Sequence, residues 1–133
     1  MKFLSLQHIS IEDPGTFKDF LLEDGHFLTT IQLDEGDTIP SNLNEFDAML
    51  CMGGPMDTHM EQEYPWLIPE KKAIGEYVLN LEKPFLGFCL GCQLLGEVLG
   101  GQVVKSNPSE IGVLDIHSQD DINIDPIFNF LPQ

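Results

Sequence analysis

Apolar positions along the chain fall into short runs of two kinds. Residues 1–8 are apolar enough for a buried strand, and Phe27–Leu33 is rich in β-branched residues ahead of an acidic loop that carries Gly36 and Pro40. Phe46–Met52 is almost continuously apolar and is stopped by Gly53-Gly54-Pro55, as befits a central parallel strand buried on both faces. Pro84–Cys89 is a further short apolar run. Between these runs the spacing changes to that of helices. Thr16–Leu22 predicts a helix ending near Asp24-Gly25, with Asp13 placed as its cap. From Pro65 to about Asn80, Trp66, Ile68, Ala73, Ile74, Tyr77 and Val78 recur at roughly helical spacing, with Glu70, Lys71, Lys72 and Glu76 between them. A third helix starts directly behind Cys89 and stops at Gly100-Gly101. Residues 102–105 and 111–117 are two more strand candidates, and 125–132 begins another element.

Strands alternating with helices predict an α/β fold with right-handed crossovers. Ligands in such folds sit beyond the carboxyl ends of the strands, where both Gly53-Gly54-Pro55 and Cys89 fall. At 133 residues the chain has the length of one domain, expected over 1–133.

Charge narrows the set of partners. The formal net charge is -16 and all six basic residues are Lys, so neither nucleic acid nor an anionic membrane surface is expected to be attracted. The apolar runs are too short for a membrane span, and the N-terminus has no signal-peptide pattern, which predicts a cytoplasmic protein. The cysteines Cys51, Cys89 and Cys92 are odd in number, which argues for reduced thiols rather than a disulfide framework.

Cys89 is the candidate for chemistry. A nucleophile must be exposed, held in one orientation and close to amide donors, and a tight strand-to-helix turn between glycines meets all three needs. Gly87-Phe88-Cys89-Leu90-Gly91 fits. Free N–H groups in the first turn of the following helix would stabilise a developing oxyanion, with Leu90 as the natural donor.

Residues 87–95 resemble the nucleophile motif of class I glutamine amidotransferases, and Gly53-Gly54-Pro55 resembles the turn that precedes it in that family by one helix. The stretch after these glycines, through Tyr64-Pro65-Trp66, suggests the branch related to the amidotransferase domain of GMP synthase. The resemblance implies a flavodoxin-like three-layer sandwich with a mostly parallel central sheet, of which this chain would be the N-terminal two-thirds. It implies a glutaminase working through a Cys89 thioester, with Gly54 and Leu90 as oxyanion donors and Gln93 and Gly53 at the substrate. No cofactor and no metal are expected. The partners it implies are glutamine and a synthase subunit that receives the ammonia. In this family a His and a Glu, two residues apart, stand on a late strand, and none of His8, His26, His59 and His117 occupies that context. Weak or absent glutaminase activity is therefore expected of this chain alone, with self-association through an exposed sheet edge.

Competing readings remain beside this one. Cys89 and Cys92 spell a dithiol Cys-x-x-Cys at a helix start, although no second pair suggests zinc; Cys92 is instead expected to face the core and Cys51 to be a small core residue. His117 is a candidate substitute base, His59 reads as a surface residue, and Glu97 should point away from the thiol. A catalytically inactive remnant or binding module of the same fold is the alternative function, and the peptidase or chaperone-like branch of the superfamily a further one.

Overall fold

A computed structural model describes residues 1–107 and 111–115. Its elements are β1 (Lys2–Gln7), α1 (Thr16–Glu23), β2 (Phe27–Gln32), β3 (Ala48–Cys51), α2 (Leu67–Gly75), β4 (Phe85–Gly87) and α3 (Leu90–Val98). α2 runs on through a wider helical turn over Glu76–Asn80. All four strands are parallel in the order β2-β1-β3-β4.

Strand alternation sorts the core into two layers. Leu4, Leu6, Met49 and Cys51 face one side, where they pack with Leu67, Ile74 and Tyr77 of the second helical segment and with Leu90 and Leu94 of α3. Phe3, Ala48, Leu50 and Met52 face the other side with Leu21 of α1. β1 and β3 are thus buried on both faces, which explains why Phe46–Met52 lacks the polar alternation of a half-exposed strand. The expected three-layer arrangement of a parallel sheet between helices is what the chain forms.

Two local expectations need correction. Asp13 does not cap α1: the helix cap is Gly15 at φ 51, and the Asp13 carboxylate accepts the Gly15 N–H at 3.0 Å, closing the turn just ahead of the helix. Residues 102–105 and 111–115 form no strand. Val104, Ile111 and Val113 are exposed, so the β-branched content that suggested strands there meets no sheet partner among the described residues. The expected elements at 116–117 and 125–132 lie outside the described residues.

The chain divides into two compact units, Met1–Val103 and Val104–Gln133. The first contains the whole sheet and every helix named above. The described parts of the second, 104–107 and 111–115, hold no helix or strand. No described helix is long and apolar enough to cross a membrane.

Candidate active site

Strand register brings three segments together. Leu6 of β1 lies beside Cys51 of β3, and Cys51 beside Gly87 of β4. Two residues further along each chain stand His8, Gly53 and Cys89, at the carboxyl ends of three adjacent strands.

Cys89 is exposed and has φ 49 and ψ -105, a conformation rare for a residue with a side chain. Holding it costs about 1–3 kcal/mol, so the surrounding packing must enforce it. The enforcement is visible in the two flanking glycines. A Cβ on Gly87 would lie 2.6 Å from the Cys92 nitrogen, and a Cβ on Gly91 would lie 2.2 Å from the Cys51 carbonyl oxygen. The first turn of α3 can therefore press onto the ends of β3 and β4 only because both positions lack side chains. Hydrogen bonds lock the contact: Phe88 N–H donates to Cys51 O at 2.9 Å, and Gly91 N–H reaches Met52 O at 3.2 Å.

Gly53, just past the end of β3, lies close to Cys89, since a Cβ there would stand 3.5 Å from the Cys89 Cβ. The Glu12 carboxylate occupies the same space over Gly53. Gly54 packs beside Leu90, whose side chain is fully buried. As the first residue of α3, Leu90 has an N–H with no intrahelical partner. Gln93 is half-buried on α3, one turn from Cys89, and its N–H donates to Cys89 O at 3.1 Å. The five residues Cys89, Gly53, Gly54, Leu90 and Gln93 are thus gathered at one place.

Two of the histidines, His26 and His59, lie elsewhere. His26 precedes β2 and meets the N-terminal amine, at the opposite end of the strands from Cys89. His59 is exposed, as expected. It forms His59-Met60-Glu61, a His-x-Glu spacing in a loop rather than on a strand, with Glu61 engaged by Lys71 at 2.9 Å. Glu97 accepts from the Thr58 hydroxyl and pairs with Lys71 at 2.9 Å, so it is turned to α2 and its preceding loop. Burial acts to raise its pKa, but Thr58 and Lys71 together hold it below the usual carboxylate range. His117 lies outside the described residues.

Cys92 corrects its expectation: it is exposed rather than turned to the core. Positions 90, 91 and 94 of α3 take the buried face, and Cys92 falls between them on the open side. Cys51 is fully buried as expected, yet it has a polar partner. Its Sγ lies 3.3 Å from Oε1 of Glu70, and that oxygen is 2.7 Å from Nε2 of His8. Both His8 and Glu70 are completely buried. Desolvation, and then Glu70, push the Cys51 thiol well above its ordinary pKa. For His8, burial works against the charged form, but the hydrogen bond and charge of Glu70 prevail and raise its pKa.

His8, Cys51 and Glu70 carry ligand-type atoms within 4.8 Å of one another. A zinc ion would need its ligand atoms about 3.4 Å apart, from metal–ligand distances near 2.1 Å in tetrahedral geometry. The 2.7 Å contact between His8 and Glu70 is instead a hydrogen bond, and the other ring nitrogen of His8 is already 2.9 Å from Gly53 O. The cluster is a proton-sharing network beneath the Gly-Gly turn.

The chain is thus a parallel three-layer α/β protein with an exposed cysteine at a strand-to-helix turn beside a Gly-Gly turn, and comparison gives its family. The family described as glutamine amidotransferase class-I matches residues 18–129. The chain belongs to that family. The glutamine amidotransferase-like protein YfeJ of Salmonella typhimurium is 32% identical over 108 residues, covering 79% of this chain and 45% of the relative. A glutamine-hydrolyzing GMP synthase subunit of Sulfolobus acidocaldarius is 38% identical over 82 residues, covering 62% of this chain and 40% of the relative. The crystal structure of a glutamine amido transferase from Methylobacillus flagellatus superposes with a TM-score of 0.76 at 31% identity, over 84% of this chain and 43% of that one. The matched region thus spans less than half the length of these relatives. Their shared flavodoxin-like fold is the fold of this chain.

Proposed function

We propose that this chain carries the nucleophile half of a glutaminase site that supplies ammonia to a synthase. In this reading the Cys89 thiolate attacks the side-chain amide carbon of glutamine. The carbonyl electron pair moves onto oxygen, where the N–H groups of Gly54 and Leu90 receive it. Collapse breaks the C–N bond, ammonia leaves with a proton, and water then hydrolyses the thioester to glutamate. Gln93 and Gly53 border the bound glutamine.

The observation that carries the reading is the backbone of Cys89, an exposed cysteine at φ 49 wedged between two glycines where any Cβ would strike backbone atoms. A protein gains nothing from such strain in a merely structural thiol. The name of the Sulfolobus relative, a GMP synthase subunit, supports a synthase as partner. The proposed domain spans 1–133.

A second reading is favoured by the histidines. Both ring nitrogens of buried His8 are committed, His26 is at the far end of the strands, and His59 is on an exposed loop. None of these three takes a proton from Cys89, so full turnover requires a base and an acid from outside the described residues. Without them the module binds glutamine and holds an inert thiol. Association between copies through the β4 edge, where Leu86 and Phe88 are exposed, is a separate expectation that sedimentation at two concentrations tests.

The deciding experiment incubates the chain with a diazoketone analogue of glutamine and reads the intact mass, with Cys89→Ser and excess glutamine as controls. Stoichiometric labelling that glutamine blocks and Cys89→Ser abolishes supports the glutaminase reading. Absence of label while iodoacetamide still modifies Cys89 sinks it in favour of the inert module.

A further inference from the structure

The buried His8–Glu70 pair has no place in the chemistry above, and its geometry gives it one. A carbonyl oxygen carries no hydrogen, so the 2.9 Å contact between His8 Nδ1 and Gly53 O requires Nδ1 to be the donor. Nε2 then faces Glu70 Oε1 at 2.7 Å, and one proton lies between them. Stacking on Trp66, with ring centroids 5.3 Å apart and planes 20° from parallel, fixes the plane of the imidazole, and its two hydrogen bonds fix the orientation within that plane. The thiol of Cys51 supplies a second hydrogen bond to the same Glu70 oxygen.

The oxygen that His8 holds belongs to the peptide joining Gly53 to Gly54. In a planar trans peptide the C=O and the next N–H point in opposite directions. Gripping the Gly53 oxygen therefore fixes where the Gly54 N–H points. A peptide between two glycines is the easiest of all to flip, because neither neighbour has a Cβ to restrict it. Left alone, this peptide would spend part of its time with its carbonyl, rather than its N–H, directed at the site.

We propose that His8, oriented by Glu70, is a positioning residue that locks the Gly53–Gly54 peptide with the Gly54 N–H preset as an oxyanion donor. This rests on the reading of Gly54 and Cys89 given above. His8 itself touches neither substrate nor thiol. Its contribution is to hold ready a donor that would otherwise have to be turned at each attack. The two buried partners also explain the fully buried Glu70: its carboxylate fixes the ring that fixes the loop, across β1, β3 and α2.

The test compares two electrophiles on the whole chain. The diazoketone analogue presents its ketone oxygen where the glutamine amide oxygen would lie, so the oxyanion donors bind and polarise it, whereas iodoacetamide alkylates a thiol by direct displacement and uses no such donor. His8→Phe removes the donor, and His8→Asn keeps an N–H near the Nδ1 position. Glu70→Gln keeps the packing but weakens the hold on the ring, and it stands in should His8→Phe fail to fold. Loss of one oxyanion donor typically costs ~10²–10³ in rate; His8→Phe frees the peptide rather than deleting the Gly54 N–H, so it is expected to slow diazoketone labelling by several-fold up to that factor. Iodoacetamide labelling should be unchanged, His8→Asn should recover to within about threefold of the parent, and Glu70→Gln should fall between. Equal slowing of both reagents would overturn the proposal, because His8 would then act on the thiol or on folding. No slowing of the diazoketone in a folded His8→Phe would do the same.

A second readout is independent of chemistry. With ¹⁵N-labelled glycine, the Gly54 amide resonance should shift in His8→Phe and return in His8→Asn; an unmoved Gly54 resonance overturns the lock even if labelling changes. If the parent chain takes no diazoketone at all, the glutaminase reading fails while the Gly54 resonance still decides the role of His8.

Discussion

Cys51 and Cys89 stand at the ends of neighbouring strands, yet the fold makes opposite things of them. Cys51 is the last residue of β3, directed into the core, where its burial and then a hydrogen-bonded buried carboxylate suppress its ionisation. Cys89 lies two residues beyond β4, past the last ladder position, on a turn that rotates its side chain out of the sheet. The same side chain is thus a core group or an exposed thiol according to two residues of offset and the glycines that permit the turn. Reactivity here is a property of backbone placement.

The sharpest way to break that contrast is to measure thiol accessibility directly. In the folded chain a small neutral alkylating reagent should reach Cys89 and Cys92, the two exposed cysteines, and leave Cys51 untouched. Cys51 becomes reactive only through global unfolding. With stabilities of about 5–15 kcal/mol for ordinary domains, it should react at least ~10³-fold more slowly. Peptide mapping after timed quenching gives the three rates, and comparable rates at Cys51 and Cys89 would remove the distinction. Raising the pH to ordinary thiol values should not rescue Cys51, because burial and then Glu70 oppose its ionisation.

Two glycines of one helix sharpen the role of the turn. Gly91→Ala drives a Cβ into the Cys51 carbonyl, which is backbone and cannot swing away. Overpacking of this kind costs about 1–3 kcal/mol, and the upper end is expected. Gly96→Ala, on the same helix with open space around it, should stabilise by about 0.4–1 kcal/mol. Denaturant midpoints of the two variants should therefore move in opposite directions. A harmless Gly91→Ala would mean that the elbow is not held by close approach.

Much of this is legible in the chain. The parallel strands stand out as apolar runs stopped by Gly53-Gly54-Pro55 and by the turn at Cys89, and periodicity locates the helices to within a few residues. Glycines two before and two after Cys89 carry the elbow without any partner being known. What does not show is the burial of Glu70. It reads as a polar-face residue among Lys71, Lys72 and Glu76, although it falls on the stripe of Leu67, Ile74 and Tyr77, where helical spacing of three and four places it inward. Its partner His8 lies 62 residues away, and only strand order joins them. Cys92 departs from expectation for the converse reason, since a helix position between two buried ones is decided by what covers its flank. The candidate site can thus be read where local backbone rules govern it and not where it depends on long-range pairing.

The buried pair also predicts a pH dependence of stability. Burial alone would lower the His8 pKa, but the Glu70 hydrogen bond and charge, with Gly53 O and the Glu12 carboxylate, raise it. A group whose folded pKa is raised contributes stability that is fully present below its unfolded value, about 6.5, and is lost as pH rises through the folded value. Stability should therefore decline above about pH 6.5 with a slope of at most ~1.4 kcal/mol per pH unit, one proton's worth. His8→Asn should remove that slope. Urea midpoints between neutral and mildly alkaline pH give the comparison, and an unchanged slope in His8→Asn would detach the pair from the titration.

The smallest effect belongs to the residue next to Glu70. Lys71 reaches Glu61 and Glu97, each at 2.9 Å, so one ammonium joins α2 to α3 and to the loop before α2. Unlike His8 and Glu70, all three groups keep contact with water, and Glu61 is 42% exposed. Solvent screening should limit Lys71→Met to about 1 kcal/mol or less, and 0.5 M salt should shrink the difference from the parent further. Glu97 adds a direction. Its pKa is lowered by Thr58 and Lys71 against the opposing effect of burial, so its contribution is present above the ordinary carboxylate pKa and lost as pH falls. Lys71→Met should accordingly cost most at neutral pH and least in acid, the reverse of the His8 profile. If Lys71→Met instead destabilised as much as Glu70→Gln and ignored salt, the two neighbouring charges on α2 would be doing the same structural work, and burial would not be what separates them.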